Sequence, residues 1–434
     1  MNEKTREFIE KHLDADIRQL ALKGCRDKEI DFDAVLRQIA GRQTARRKLP
    51  SWAALDGIIY PPHLNMEQCS SEQTARYKKS LTPNPSLGEE GSEYIHAQTN
   101  GLQNAHTLSN TTQPNTTLVD LTGGFGVDFA FMSQSFDEAI YVERNSELFA
   151  ISSANMKILA PKAKCLNEDG LEVLHRINHV SMIFMDPARR DDHGARTYGI
   201  GDCTPNVLEM KDELLQKADT VMLKLSPMLD WHKAINDLGE EHVKEVHIVS
   251  VQNECKELLV ILEESKKRCP TEEKGYTLHC VNILSDGSLQ QFKIPAESSP
   301  ISHSTFPIPH SSSLISHFLY EPNASIMKAG CFAEVGQAYG VSQLAPNSHL
   351  FTSDQAKADF PGRIFRITAV TTMNKQDLKL ALKDIRQANI AVRNFPMSVA
   401  DLRKRLKISE GGNDYIFATT LAEGKKVLII CQHL

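Results

Sequence analysis

The segment Asp120-Leu-Thr-Gly-Gly124-Phe-Gly126-Val-Asp128 holds two acids, Thr122 and three glycines, of which Gly124 and Gly126 stand two residues apart. It follows an apolar run and precedes a helical pattern. Glycine at 124 and 126 lets the backbone turn tightly and approach a ligand closely. The helix that follows offers unpaired N–H groups at its start. The nicotinamide fingerprint requires a third glycine to seat helix on strand. Here Gly126 is followed by Val127-Asp128-Phe129, so that fingerprint is incomplete. An acid four residues before Gly124 suits the amino-acid end of a sulfonium nucleoside. The expected cofactor is S-adenosyl-L-methionine, lined by Asp120, Thr122, Gly124, Gly126 and Asp128. The competing reading is a plain tight turn.

Other acids recur at the ends of apolar runs. Glu143 lies 17 residues past Gly126, where a carboxylate can accept both ribose hydroxyls. Asp169, with Glu168 as its competitor, follows the next run and stands where an adenine amino group would lie. Asp186-Pro187-Ala188-Arg189-Arg190 closes the run Ile183-Phe184-Met185. A carboxylate there is costly to bury unpaired and is expected to face the cleft. Many N-methyltransferases carry Asp/Asn-Pro-Pro-aromatic at this point, to grip an amine and stack on a base. Here Ala188 and Arg189 replace the second proline and the aromatic. A guanidinium plane can stack on a base or bind phosphate, so Asp186, Pro187 and Arg189 are the candidate catalytic residues. A solvated arginine pair is the plainer reading. Lys224 ends another run and can meet a phosphate or pair with Asp186. Cys255 is weighed as a nucleophile, but no base accompanies it.

The elements that must position these residues are legible. Short apolar runs at Leu118–Leu121, Ala139–Val142, Ala163–Leu166, Ser181–Met185, Val221–Leu225 and Val246–Val251 alternate with helical stretches. That alternation implies an α/β fold with a parallel, Rossmann-like sheet. Gln252-Asn253-Glu254 is too short for a crossover, so Leu258–Leu262 should return antiparallel. A parallel sheet with an antiparallel last strand is the architecture of class I methyltransferases. Before it, residues 1–80 read as a helical region, with Ser70 capping a short helix and Gln73 three positions later. Residues 81–117 read as a polar, disordered linker, and 118–268 as the cofactor-binding domain. Tyr276–Leu284 and Leu289–Ile294 form a hairpin turning at Asp286-Gly287. A Pro/Ser/His-rich stretch, about 295–313, interrupts the chain. From Ile364 to the end strands and helices alternate as a compact α+β unit.

The totals bound the class. Across 434 residues, 41% are hydrophobic and 24% charged, a globular balance. No run approaches the ~20 apolar residues of a membrane helix, and the charged N-terminus lacks a secretory core. The nine cysteines show no C-x-x-C pair and the 16 histidines no H-E-x-x-H, so neither a disulfide framework nor a metal is expected. A cytoplasmic location follows as an expectation. The net charge is −6, yet Pro361–Leu434 holds 13 Lys/Arg against 6 Asp/Glu, a surplus of seven that leaves −13 for the rest. A basic tail unit on an acidic body suggests contact with phosphates.

Further segments carry a resemblance. Lys48-Leu49-Pro50, Glu67-Gln68-Cys69-Ser70-Ser71-Glu72, the loop 120–128 and Asp186–Arg190 are among them. So are Glu254-Cys255-Lys256-Glu257-Leu258, Tyr320-Glu321-Pro322-Asn323, Phe360-Pro361-Gly362-Arg363 and Arg393-Asn394-Phe395-Pro396. Together they resemble a bacterial family of class I methyltransferases with a small ferredoxin-like segment and a THUMP-like C-terminal domain. The resemblance implies a ferredoxin-like segment at 274–325, a THUMP-like domain at 326–434, and an RNA substrate such as tRNA or rRNA. It also makes Ser70 and Ser71 candidates to touch the methionine moiety from a lid helix, although both can serve as helix caps. Oligomeric state is not legible. The alternatives are a catalytically idle RNA-binding adaptor and a methyltransferase acting on protein or a small molecule.

Overall fold

A computed structural model describes residues 2–83, 115–189, 199–264, 275–295 and 315–434. Most of the expected 81–117 linker, Arg190 and the 295–313 stretch beyond Pro295 lie outside the described residues, as does the side chain of Arg189. The chain divides into two units: Met1–Lys244 with Leu259–Glu272, and Glu245–Leu258 with Glu273–Leu434.

The first unit opens with helices α1 (Glu3–Lys11), α2 (Ile17–Lys23) and α3 (Phe32–Lys48). Asn2, Asp16 and Asp31 cap them by accepting N–H bonds from Thr5, Gln19 and Ala34. Their apolar faces meet at Ile9, Leu20, Val35 and Ile39. Short helices α4 (Pro50–Ala53), α5 (His63–Gln68) and α6 (Glu72–Ser80) follow. Ser71, not Ser70, caps α6, its hydroxyl accepting from Thr74 N–H at 3.2 Å. The boundary falls one residue later than expected, which frees the Ser70 hydroxyl for another partner.

The α/β part alternates strand and helix: β1 (Thr117–Asp120), α7 (Val127–Met132), β2 (Glu138–Val142), α8 (Ser146–Leu159), β3 (Lys164–Leu166), α9 (Gly170–Arg176) and β4 (Val180–Met185). After a small ribbon of β5 (Ala188–Arg189) and β6 (Cys203–Thr204) come α10 (Val207–Lys217), β7 (Ala218–Leu225) and α11 (Trp231–Leu238). The hairpin β8 (Val243–Val251) and β9 (Glu254–Leu262) follows. Strand β9 stands beside β7, and the order β9-β7-β4-β1-β2-β3 contains four parallel pairings. The strands are apolar runs because both sheet faces are covered. Leu118, Tyr141, Phe184 and Met222 bury there with Phe125, Phe129 and Trp52. Each such side chain contributes ~1.5–3 kcal/mol. All five parallel strands point their carboxyl ends the same way, so the residues after β1, β2, β3, β4 and β7 share one edge.

Gln252 and Asn253 both take positive φ, 49° and 64°, in the two-residue turn of the β8–β9 hairpin. Two left-handed residues give the twist that a tight hairpin needs, and Asn tolerates that region better than most. In the second unit β10 (Thr277–Ile283) pairs parallel to β8 and antiparallel to β11 (Leu289–Ile294). The hairpin read at 276–294 is present, and it extends the β8–β9 pair.

A separate seven-stranded sheet is built from β12 (Phe318–Pro322), α12 (Ala324–Ala329), α13 (Phe332–Tyr339), β13 (Ser342–Gln343), β14 (Phe351–Ser353), β15 (Gly362–Thr371), α14 (Lys375–Ala381), β16 (Asn389–Arg393), α15 (Val399–Leu406), β17 (Asp414–Thr420) and β18 (Lys426–His433). Its order is β13-β14-β12-β15-β18-β17-β16, with only β16 and β17 parallel among the pairs. Along β18 the residues alternate between two cores. Val427, Ile429 and Cys431 join Leu319, Phe365 and Phe417, whereas Leu428 and Ile430 join Leu402, Ile408 and Ile416.

Three of the segments that carried the family resemblance meet in this unit. Glu321 on β12 is 2% exposed and accepts from Arg363 Nε at 2.8 Å and from Arg393 Nη2 at 2.6 Å. A Cβ on Gly362 would sit 2.1 Å from Glu321 O, so that neighbour must be glycine. Replacing both Arg363 and Arg393 by Met leaves a buried carboxylate unpaired, with an expected loss of about 3–5 kcal/mol. Adding Glu321→Leu should restore most of it. Urea denaturation of the three proteins checks this, and a double variant as stable as the parent contradicts it.

Candidate active site

Asp120, Asp128, Glu143 and Asp186 come together at the carboxyl edge of the first unit's sheet, close enough for the other three to act on Asp120 electrostatically. Asp120 is 1% exposed and its Oδ1 accepts from Thr122 N–H at 2.9 Å. Burial holds its carboxyl well above the ordinary range; the Thr122 N–H opposes this, and the neighbouring carboxylates reinforce it. Thr122 also reaches across the edge, its Oγ1 accepting from Asp186 N–H at 2.6 Å. One threonine therefore ties the β1 loop to the Asp-Pro turn after β4.

The glycine turn is held from below. The hydroxyls of Tyr141 and Ser152 both donate to Gly124 O, the latter at 2.9 Å. Gly124 and Gly126 have φ of 57° and 83°, which favours glycine at both positions. A Cβ on Gly126 would strike Met156 Cε at 2.3 Å, and one on Gly123 the Tyr141 ring at 2.2 Å. At Gly124 a Cβ would meet only Thr122 O, at 3.7 Å, so that glycine borders open space. Glu143 accepts from Gly124 N–H at 2.9 Å and from Asn145 N–H at 2.7 Å. Asp169 caps α9 through Leu171 N–H at 2.9 Å. The adjoining Gly170 abuts β1, since its Cβ would lie 2.3 Å from Leu121 O.

A chain of charges runs beneath this turn. Asp128 is buried, and its Oδ2 accepts from the Ser70 hydroxyl at 2.7 Å. Lys78, fully buried on α6, lies 3.1 Å from Asp128 Oδ1. Lys224 lies 3.5 Å from Asp128 Oδ2 and 2.5 Å from Asp186 Oδ2. Burial alone would raise the Asp128 carboxyl, but Lys78, Lys224 and Ser70 overcome it and leave the group below its usual range. Of the expected site residues, Ser70 and Asp128 thus meet each other, whereas Ser71 is spent on capping α6. Lys224 takes the Asp186 pairing that its position allowed. Lys78 was missed. In Tyr77-Lys78-Lys79 it reads as solvated helix charge, and only the tertiary fold shows that it points inward. Cys255 is half-buried, and burial pushes its thiol up to about 11, which suits packing and not nucleophilic attack.

This donor set fits a sulfonium nucleoside: a glycine bordering open space, a carboxylate bonded to that glycine's N–H, and a buried acid that a cation would relieve. The comparisons agree. Residues 318–361 match the profile of a ferredoxin-like domain and 362–433 that of a THUMP domain-like family. The ferredoxin-like match begins at β12, inside the 274–325 segment expected for it, and runs on to residue 361. The chain is 30% identical to a protein from Porphyromonas gingivalis W83 whose crystal structure is assigned as a methyltransferase. That match covers 100% of this chain and 99% of the other, with a TM-score of 0.80. It is also 21% identical to an uncharacterised S-adenosylmethionine-dependent methyltransferase of Mycobacterium tuberculosis, over 67% of this chain and 73% of that one. The chain belongs to the family of S-adenosylmethionine-dependent methyltransferases that carry ferredoxin-like and THUMP-like domains.

The raised Asp120 has a consequence for pH. Where a folded-state pKa exceeds the unfolded value of ~3.9, the folded protein binds more protons across that interval and loses stability as pH rises through it. Asp120→Asn keeps the acceptor for Thr122 N–H and cannot ionise. It should raise the urea midpoint of the cofactor-free protein at pH 7 and flatten its decline as pH rises above the unfolded value. A variant less stable than the parent at pH 7 contradicts the assignment.

Proposed function

We propose that this enzyme methylates a nitrogen of an RNA base, with the cofactor held by the β1–α7 turn and the base at the Asp186 turn. The observation that carries the reading is the convergence of the open glycine turn, Glu143 and the Lys224-paired Asp186 on one edge. S-adenosyl-L-methionine, when bound, supplies an electrophilic methyl group on a sulfonium. Gly124 and Gly126 would let the backbone approach it, Glu143 would accept the ribose hydroxyls, and Asp120 would favour the cationic amino-acid end. Asp169 is assigned to the adenine amino group. Ser70, through Asp128, fixes the start of α7, and Ser71 fixes the start of α6 beside it.

Asp186 would accept an N–H of the target amine and so turn the nitrogen lone pair toward the methyl. Alignment of that kind accounts for much of a methyl-transfer barrier, and no covalent step is required. Lys224 acts on Asp186: its ammonium, 2.5 Å away, pairs with the carboxylate and fixes its rotamer. Pro187 is buried and stiffens the turn. Arg189 is assigned to stacking or phosphate contact.

Two features support RNA as the substrate: the THUMP domain-like match at 362–433 and the surplus of seven positive charges after Phe360. Within that region Lys379, Lys383, Arg386, Lys404, Arg405 and Lys407 are exposed and available to phosphates. No helix among the described residues is long and apolar enough to cross a membrane.

Gly124→Val and Asp120→Ala should each weaken S-adenosylmethionine binding by ~10-fold or more in calorimetry, about 1.4 kcal/mol. Unchanged affinity in both sinks the cofactor assignment. Asp186→Ala should abolish methyl incorporation into RNA while cofactor affinity is kept. Mass spectrometry of nucleosides from cells with and without the protein identifies the modified base. RNA affinity should fall steeply with salt, at ~0.7 log units per tenfold salt for each phosphate contacted. Affinity indifferent to salt, or no RNA binding, turns the reading toward a protein or small-molecule substrate.

A further inference from the structure

The parallel pairing of β8 with β10 sets His279 directly beside His247. Glu245 stands two residues before His247, so all three side chains rise from one face of the pair. Glu245 Oε2 lies 2.9 Å from His247 Nε2 and 3.9 Å from His279 Nε2. One ligand atom from each residue falls within 4.8 Å of the other two. His279 Nε2 is buried with no hydrogen-bond partner, an unusual state for a ring nitrogen. The geometry points to a binding site for a borderline divalent transition metal such as Zn²⁺, formed by Glu245, His247 and His279.

The distances suit that class of ion. Zinc takes imidazole nitrogen and carboxylate oxygen at ~2.0–2.2 Å in tetrahedral array, which spaces the ligand atoms by ~3.4 Å. The 2.9 and 3.9 Å separations bracket that value. Two imidazoles and one carboxylate leave a fourth position for water, as in zinc sites that stay open. Hard ions such as Mg²⁺ and Ca²⁺ prefer oxygen alone, so this set selects against them. His247 is buried, whereas the Glu245 side chain is 32% exposed and provides the entry path.

One adjustment is needed. The two rings are stacked, with centroids 4.3 Å apart and planes at 10°, and a bound metal must lie near the plane of each ring. The adjustment required is a turn of one ring about its Cβ–Cγ bond, a broad and soft torsion. Neither the sequence motifs nor the methyl-transfer site includes this cluster. The sequence hides it because His279 is 32 residues from His247 and no short metal-ligand spacing is formed.

The test uses the full chain, stripped with a chelator and titrated with Zn²⁺ by calorimetry and with Co²⁺ by visible absorption. One equivalent should bind, with weak d–d bands from nitrogen and oxygen ligands. His279→Ala and Glu245→Gln should each weaken binding by more than ~100-fold, beyond the ~10–100-fold that loss of an outer supporting group costs. His317→Ala, on an exposed residue, should leave affinity within ~2-fold. Melting curves of the metal-free variants check folding, and Glu245→Gln alters a partly exposed side chain, so it reads the site even if His279→Ala unfolds. No stoichiometric binding by the parent, intense thiolate-to-cobalt bands, or parental affinity in Glu245→Gln overturns the site.

Discussion

Two lysines and two carboxylates, Lys78–Asp128–Lys224–Asp186, are strung beneath the glycine turn at the edge of the first unit's sheet. Removing an ion from water costs several kcal/mol even in a relaxed protein interior, so such groups persist only where their partners are well placed. Here each charge comes from a different element: α6, the start of α7, the end of β7 and the turn after β4. The alternation of sign holds these four elements to one arrangement. A shift of α6 would strand a fully buried ammonium; a shift of β7 would unpair Asp186. The N-terminal helices are thus fastened to the chemistry by electrostatics as well as by the contact of Trp52 with Phe125.

The same logic explains why one acid in the cluster differs from its neighbours. Asp128 has two ammonium groups and a hydroxyl and remains ionised. Asp120 has one backbone N–H and three neighbouring carboxylates. Two aspartates eight residues apart therefore hold opposite protonation tendencies, set wholly by what surrounds them.

Much of the architecture was legible because it rests on local pattern. The seven runs from Leu118 to Leu262 became strands β1, β2, β3, β4, β7, β8 and β9, with starts moved by one to four residues and ends by at most one. The short turn after Val251 was enough to require an antiparallel return. The acids at strand ends were legible for the same reason, since parallel strands send their carboxyl ends to one side. What lay hidden depends on long-range packing. Lys78 looks like any helix lysine until α6 is placed. Ser70 looks like a cap until Ser71 takes that role. Glu321, Arg363 and Arg393 carried a family resemblance, but nothing local shows that they converge on one buried carboxylate. The hairpin 276–294 was read correctly as a hairpin, yet its partner β8 is reached only through a parallel pairing that no turn announces.

The boundary between the two units falls inside the β8–β9 hairpin, so the chain leaves the first unit at Lys244 and re-enters it at Leu259. Neither unit is a continuous stretch of polypeptide. During synthesis the first sheet cannot receive the end of β9 beside β7 until a segment belonging to the second unit has already emerged. No single cut through the backbone can release either unit intact. Exchanging the second unit for another would require breaks at three places in the chain, after Lys244, Leu258 and Glu272.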